Sequence, residues 1–155
     1  MQVLLSVKPE YSRRIFSGEK KYEFRKHKPK LMDGIVIVYE SSPTRSMVGA
    51  FSVKTIYSGT PDEIWKKCEG SSGIEKSSYL DYCSGTKLIH AIEIGDVFSF
   101  ENPIDPLKTI PDFKPPRSFL YLDSSLVIQI LKGQNWGIQN EDLYKRFGSE
   151  QEHFG

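Results

Sequence analysis

Hydrophobic and polar positions change period several times along the chain, and each change predicts an element. Residues 2–7 (QVLLSV) form a short apolar run that predicts a strand, with Leu4 and Leu5 in the core. Tyr11, Ile15 and Phe16 then fall on one face of a short helix. Pro9 suits its first position, where the missing N–H costs nothing, and Gly18 suits its end, where positive φ is tolerated. Residues 21–25 alternate with period two, which points Tyr22 and Phe24 inward and Lys21, Glu23 and Arg25 outward, with Lys20 at the turn. Residues 26–34 (KHKPKLMDG) read as a basic loop broken by Pro29 and by Asp33-Gly34. Residues 35–39 (IVIVY) are a continuous β-branched run and predict a strand buried on both faces or in a barrel wall. The loop ESSPTR follows and puts the hydroxyls of Ser41, Ser42 and Thr44 at a strand end. Residues 48–57 return to a strand pattern, in which Gly49 marks a bulge or a close backbone approach.

Thr60-Pro61-Asp62-Glu63 combines a cap, a first-turn proline and a capping box, so a helix starts there with Ile64, Trp65 and Cys68 inward and Gly70 at its end. A second helix is predicted over residues 74–83. Residues 87–94 alternate, with His90 on the more apolar side as a satisfied core group. Gly95-Asp96 predicts a turn into a hairpin partner at 97–100. Five prolines make residues 101–117 an extended connector, and residues 118–122 close the β set. Beyond Asp123 the pattern becomes helical over 126–131. It breaks at GQNWG and resumes over 141–147, before eight residues that read as frayed. Strands and helices do not alternate regularly, which argues against a doubly wound parallel sheet. The predicted class is α+β: a small, mostly antiparallel barrel over residues 1–122 with helices at its rim, and a helical extension over 123–155. That extension reads as a peripheral addition or as a partner-binding arm exposing Trp136 and Phe147.

Composition narrows the class. At 155 residues, with 38% hydrophobic and 12% aromatic content, the chain has enough apolar material for one core and lacks the mark of disorder. It contains no apolar run of spanning length, and MQVLLSVKPE lacks the parts of a secretory signal, so a cytoplasmic protein with no membrane partner is expected. The net charge of +1 hides a local asymmetry: residues 8–30 carry nine of the 21 Lys and Arg against three acids, so the remainder is acidic. A local positive field says more about partners than the overall pI does.

The chemistry these residues suggest stays open at this point. Cations flanking a carboxylate on one strand face can bind an anion or move a proton, and they equally describe a solvated face or a plain salt bridge. As a binding site, Lys8, Lys20, Lys21, Arg25, Lys26 and Lys28 would neutralise phosphates. Tyr22 or Tyr39 would stack on a base, and Ser41, Ser42 and Ser118 would supply hydroxyls. As a catalytic set, Lys20, Glu23 and Arg25 stand together. Glu23 would raise a lysine pKa, which works against a nucleophilic Lys20 unless burial dominates. Cys68 and Cys83 fit no metal spacing and are expected reduced. His27, His90 and His153 are scattered, so neither a metal nor a cofactor is implied.

The segment LLSVKPEYSRRIFSGEKKYEFRK resembles the opening signature of the ASCH-domain family, a branch of the PUA-like β-barrels. IVIVYESSPTRSMVGAF, TPDEIWKKCEG, HAIEIGDVFSF and PPRSFLYL match further elements in order, so the resemblance spans about residues 2–122. It implies a barrel of five to seven strands with a cleft lined by Gly18-Glu19-Lys20. It also implies RNA binding, with the reading of a modified base among the known roles of PUA-like domains. Some small members are similar to amidohydrolases that deacetylate N4-acetylcytidine, and others are described as ribonucleases. In the amidohydrolase branch the chemistry belongs to a Lys two residues after the Gly, a Thr three residues further on, and a Glu from the middle segment. The match puts that Lys at Lys20 and the following Arg at Arg25. Glu23 stands where the Thr would be, and Glu75 is near the middle Glu but out of register. Chain length and the PPRSF element place this sequence in a longer subgroup with a C-terminal extension.

The resulting expectation is an RNA-, nucleoside- or nucleotide-binding domain with a basic cleft. The alternatives are a hydrolase, acting as an amidohydrolase on a modified nucleoside or as a ribonuclease, and an interaction protein of the transcriptional-coregulator type.

Overall fold

The computed structural model describes residues 1–30 and 34–136. Its strands are β1 (Gln2–Val7), β2 (Tyr22–Arg25), β3 (Ile35–Glu40), β4 (Ser46–Gly59), β5 (Ile89–Ile104) and β6 (Phe119–Leu122). Its helices are α1 (Pro9–Ser17), α2 (Pro61–Cys68), α3 (Lys76–Cys83) and α4 (Ser124–Gly133). The six strands form one sheet in the order β2-β5-β4-β3-β1-β6, in which β1 and β3 run parallel and every other neighbour antiparallel. The sheet curls into a half-barrel, giving the α+β architecture expected. Among the described residues no helix is long and apolar enough to cross a membrane.

The continuous run in β3 has a direct cause. Ile35, Ile37 and Tyr39 face one core with Leu4, Met47, Phe113 and the α4 residues Val127, Ile130 and Leu131. Val36 and Val38 face the other core with Val3, Leu5, Phe51 and Ile15 of α1. Both faces of the strand are covered, so no alternation survives in its sequence. A third cluster joins Phe24 of β2 to Ile64 and Cys68 of α2 and Tyr79 and Cys83 of α3. The α2 capping box forms as its sequence dictates: the Glu63 N–H donates to Thr60 Oγ1 at 3.3 Å and the Thr60 N–H to Glu63 Oε2 at 3.4 Å.

Two expectations are corrected. Gly95-Asp96 makes no hairpin turn. The chain runs straight through it as β5, 16 residues long and paired with β4 nearly throughout, with register shifts around Phe51, Val53 and Thr55. A Cβ on Gly95 would lie 2.5 Å from Ser52 Oγ, and the Asp96 N–H donates to that same hydroxyl at 2.8 Å. The glycine therefore serves a close cross-strand approach beside the bulges, where strong local twist curls the sheet. Trp136 is not exposed either. It is 2% accessible and stacks on Phe98 with ring centroids 5.6 Å apart, inside the core cluster that holds α4. The helix expected over 141–147, Phe147 and Asp33 lie outside the described residues.

Candidate functional site

The connection from α1 to β2 turns Lys20 inward. Gly18 caps α1 at φ +85, and its N–H donates to the Ile15 carbonyl at 3.1 Å. The Lys20 N–H then returns to the Arg14 carbonyl and the Lys21 N–H to the Ser71 carbonyl, each at 2.9 Å. The Lys20 side chain is buried. Its Nζ donates to the Ser72 carbonyl at 2.7 Å and lies 4.8 Å and 5.4 Å from the ring centroids of Phe24 and Tyr11. Burial is the largest influence on this amine and holds its pKa below the usual lysine range. Glu23 opposes that shift, and Arg25 and Arg14 reinforce it.

The alternation pointed Glu23 and Arg25 outward and left a solvated face and a site open; the structure buries both, each only 7% accessible. The reason is topological. β2 forms one end of the sheet and β1–β6 the other, and Arg25 bridges the gap where the curl brings them together. Its Nη2 donates to the Ser6 carbonyl of β1 at 2.8 Å and its Nη1 to the Ser118 carbonyl at 3.2 Å. Nη2 also pairs with Glu23 Oε1 at 3.1 Å. One guanidinium thus laces the seam of the half-barrel. Glu23 Oε2 and Arg25 Nε are buried with no hydrogen-bond partner among the described residues. Buried polar atoms are nearly always satisfied, so such a pair asks for a water or a ligand.

Above these residues opens a cleft of about 850 Å³. Lys20, Glu23 and Arg25 form its floor, Ser6, Val7 and Lys8 one wall, and Ile74, Ser78, Asp81 and Tyr82 the rim beside α3. Lys8, Lys26, His27 and Arg117 bring exposed basic side chains to the mouth, mixed with Glu10 and Asp81. Tyr82 is pinned there: its hydroxyl accepts from the Lys26 N–H at 3.2 Å, and Lys26 Nζ lies 4.9 Å from its ring centroid. Burial raises the pKa of both Tyr11 and Tyr82, so each phenol stays a neutral donor at physiological pH.

Of the residues singled out from sequence, Lys8, Lys20, Glu23, Arg25, Lys26, Ser41 and Ser118 share this cleft, and Lys28 lies outside it. Lys21 and Tyr22 instead face a second cleft of about 650 Å³, lined also by Lys54, Glu93 and Asp96, which Lys20 borders from its other side. Tyr39 belongs to neither: it is buried edge-on against Phe113, with centroids 5.2 Å apart, and cannot stack on a base. Ser42 is exposed and outside both linings, and Glu75 is exposed at the start of α3. Sequence reasoning missed Tyr11, Tyr82 and Arg117 as lining residues, because only the tertiary approach of α1, α3 and the proline-rich connector places them.

The neighbouring groups are structural. His90, opposite Arg25 in the β2–β5 pairing, is satisfied by Ser58, with Nδ1 to Oγ at 2.6 Å, and burial lowers its pKa. Cys68 and Cys83 are free and buried, and burial pushes the Cys68 thiol up to about 11, which leaves it unreactive at neutral pH. Among the described residues no group of three or more His, Cys, Asp or Glu is placed to hold a metal.

The family model described as "ASCH domain" matches residues 5–103. The chain belongs to the ASCH-domain family. This ASCH chain is 28% identical over 128 residues to an ASCH domain-containing ribonuclease of Zymomonas mobilis, covering 78% of this chain and 84% of that protein. It is 31% identical over 121 residues to the large ribosomal subunit protein uL22 of Ureaplasma parvum serovar 3, covering 77% of this chain and 39% of that one. The chain therefore matches about two fifths of the length of that relative. The crystal structure of ASCH from Zymomonas mobilis superposes with a TM-score of 0.78 at 24% identity, over 84% of this chain and 94% of that one, which shows a shared fold.

Proposed function

We propose that this ASCH domain binds single-stranded RNA, with one nucleotide entering the cleft and reaching the Lys20–Glu23–Arg25 floor. The observation that carries this reading is the buried, unpartnered Glu23 Oε2 beneath a cation-bearing mouth. A nucleotide offers what each part of the cleft lacks. Its phosphates suit Lys8, Lys26 and Arg117. A base amine or ribose hydroxyl can donate to Glu23, and Tyr82 presents a half-exposed ring beside the opening. The acids at the mouth disfavour a broad polyanion surface and favour this local docking.

A second reading adds RNA cleavage. It is favoured by the lowered pKa of Lys20 and by the name of the Zymomonas mobilis relative, a ribonuclease. In this reading Glu23 takes the proton of the ribose 2′-hydroxyl as that oxygen attacks the adjacent phosphorus. Arg25 and Lys20 stabilise the charge that develops on the phosphoryl oxygens. Lys20, when protonated, gives a proton to the departing 5′-oxygen, leaving a 2′,3′-cyclic phosphate and a 5′-hydroxyl. Deacetylation of a modified cytidine has less support, because the hydroxyl residue that the family's amidohydrolases use is replaced here by Glu23.

The test is a titration of labelled oligoribonucleotides against wild type, Glu23→Gln and Lys20→Met. Both variants should bind at least about tenfold more weakly, a loss of about 1.4 kcal/mol. Wild-type affinity in both variants would overturn the binding reading. Mass analysis of the same RNA for cyclic-phosphate ends decides cleavage, and intact RNA under saturating binding would reject that step alone. Incubation with N4-acetylcytidine, followed for cytidine release, decides the amidohydrolase alternative.

A further inference from the structure

Residues 71–73, from the end of a 3-10 turn over Glu69–Ser71 towards α3, run beside Lys20 and meet the Lys20–Lys21 stretch at three levels. The Ser71 carbonyl accepts from the Lys21 backbone N–H at 2.9 Å, and the Ser72 carbonyl accepts from Lys20 Nζ at 2.7 Å. Gly73 lies directly on the Lys20 stem: a Cβ added there would sit 2.3 Å from Lys20 Cβ and 2.6 Å from its Cγ. The segment is itself held. Arg14 Nη1 donates to the Gly73 carbonyl at 2.9 Å, and the buried Ser72 hydroxyl lies 3.3 Å and 3.2 Å from the Glu69 and Ile74 carbonyls. Gly73 adopts φ +63, so both its conformation and its surroundings exclude a side chain.

We propose that the 71–73 segment is a positioning strap for Lys20, in which Gly73 permits the close approach and the Ser72 carbonyl takes one N–H so that the rest of the amine is aimed at the cleft. An amine at the end of four methylenes has many rotamers in water. Here the strap on one side and the Phe24 and Tyr11 rings on the other leave it a narrow range. The charged and titratable groups acting on it are Glu23 and Arg25 from β2, Arg14 from α1 and Cys68 from α2. None of these hydrogen-bonds to Nζ, so among the described residues the strap's carbonyl is the one protein acceptor that fixes its direction. The functional consequence rests on the RNA-binding reading, whereas the placement of Lys20 does not.

The test compares Gly73→Ala with Gly85→Ala in the full chain. Gly85 has φ +75 but nothing within 4 Å of its missing Cβ, so it shares the backbone strain and lacks the contact with Lys20. The readout is the pH profile of Lys20 acetylation by acetic anhydride, mapped by mass spectrometry, with RNA affinity measured alongside. Gly73→Ala should displace Lys20 towards solvent, move its titration upward towards that of an ordinary lysine, and weaken RNA binding about tenfold. Gly85→Ala should leave both at wild type. An unchanged Lys20 profile in folded Gly73→Ala, or an equal change in Gly85→Ala, overturns the proposal. If Gly73→Ala does not fold, Ser72→Ala replaces it. That variant loosens the strap without adding bulk and should shift the profile in the same direction by a smaller amount; no shift would overturn the proposal. A shifted Lys20 profile with unchanged RNA affinity keeps the strap and removes the RNA reading of the cleft.

Discussion

The two clefts that meet at Lys20 are similar in size and both hold lysines and a glutamate, yet they differ in what water can reach. In the second cleft Lys54 pairs with Glu93 at 3.5 Å while the Lys54 side chain stays 69% exposed. Solvent satisfies what that pair leaves over, and such pairs contribute about 0–1 kcal/mol. In the first cleft the pair is Arg25 with Glu23 at 3.1 Å, each side chain 9% exposed, beside the buried Lys20 amine and two polar atoms without partners among the described residues. Desolvating these groups is costly and no solvent shell offsets it. Charge content therefore does not distinguish the two clefts. Burial and unmet hydrogen-bonding capacity do, and they point to the first.

Breaking the Arg25 lacing should separate the two clefts most sharply. Arg25→Ala leaves Glu23 buried and unpaired and unties β2 from Ser6 and Ser118. A stability loss of about 3–5 kcal/mol is expected in urea unfolding. A loss below about 1 kcal/mol would mean that the seam is solvated like the second cleft. Next in size is Lys20→Met, which keeps the stem volume but removes the charge. RNA affinity should fall about tenfold or more, or about 1.4 kcal/mol, while stability holds or rises because no ammonium is then buried.

The same residue sharpens the contrast through pH. The Lys20 pKa is lowered on folding, so between that value and the usual lysine range the unfolded chain binds more protons than the folded one. Lys20 therefore contributes a rise of stability with pH across that window, set against the fall contributed by the buried tyrosines and cysteines whose pKa folding raises. The rise should vanish in Lys20→Met and persist in Lys54→Ala. The smallest effect belongs to the second cleft itself: Lys54→Ala should change unfolding free energy by no more than about 0.5 kcal/mol.

Much of the scaffold was legible in the chain because its signals are local. β3 shows as an uninterrupted β-branched run, α2 as a capping box, and the end of α1 as Gly18. The errors came where one local pattern serves two purposes. Gly95-Asp96 reads as a turn, yet the glycine is there for its approach to Ser52 across a long, bent strand pair. Residues 21–25 alternate as a half-solvated strand would. Nothing within that stretch reveals that β1 and the start of β6 close over Arg25, or that the segment before α3 closes over Lys20. Tyr39 drew attention as a stacking ring and Trp136 as an exposed one for the same reason: their covers, Phe113 and Phe98, lie far away in sequence. The candidate site could be named from sequence as Lys20, Glu23 and Arg25. Its burial, the feature that sets it apart from a solvated strand face, depends on contacts between distant elements.

The most direct test of the central claim is salt-dependent anisotropy of a labelled single-stranded oligoribonucleotide, comparing Lys8→Gln/Lys26→Gln at the mouth of the first cleft with Lys21→Gln/Lys54→Gln in the second. Each phosphate contact on a single strand contributes about 0.7 to the slope of log affinity against log salt. The first pair should lower that slope by about 1.4 and weaken binding, and the second pair should change neither. Equal effects from the two pairs, or a larger effect from the second, would contradict the assignment of RNA to the cleft above Lys20, Glu23 and Arg25.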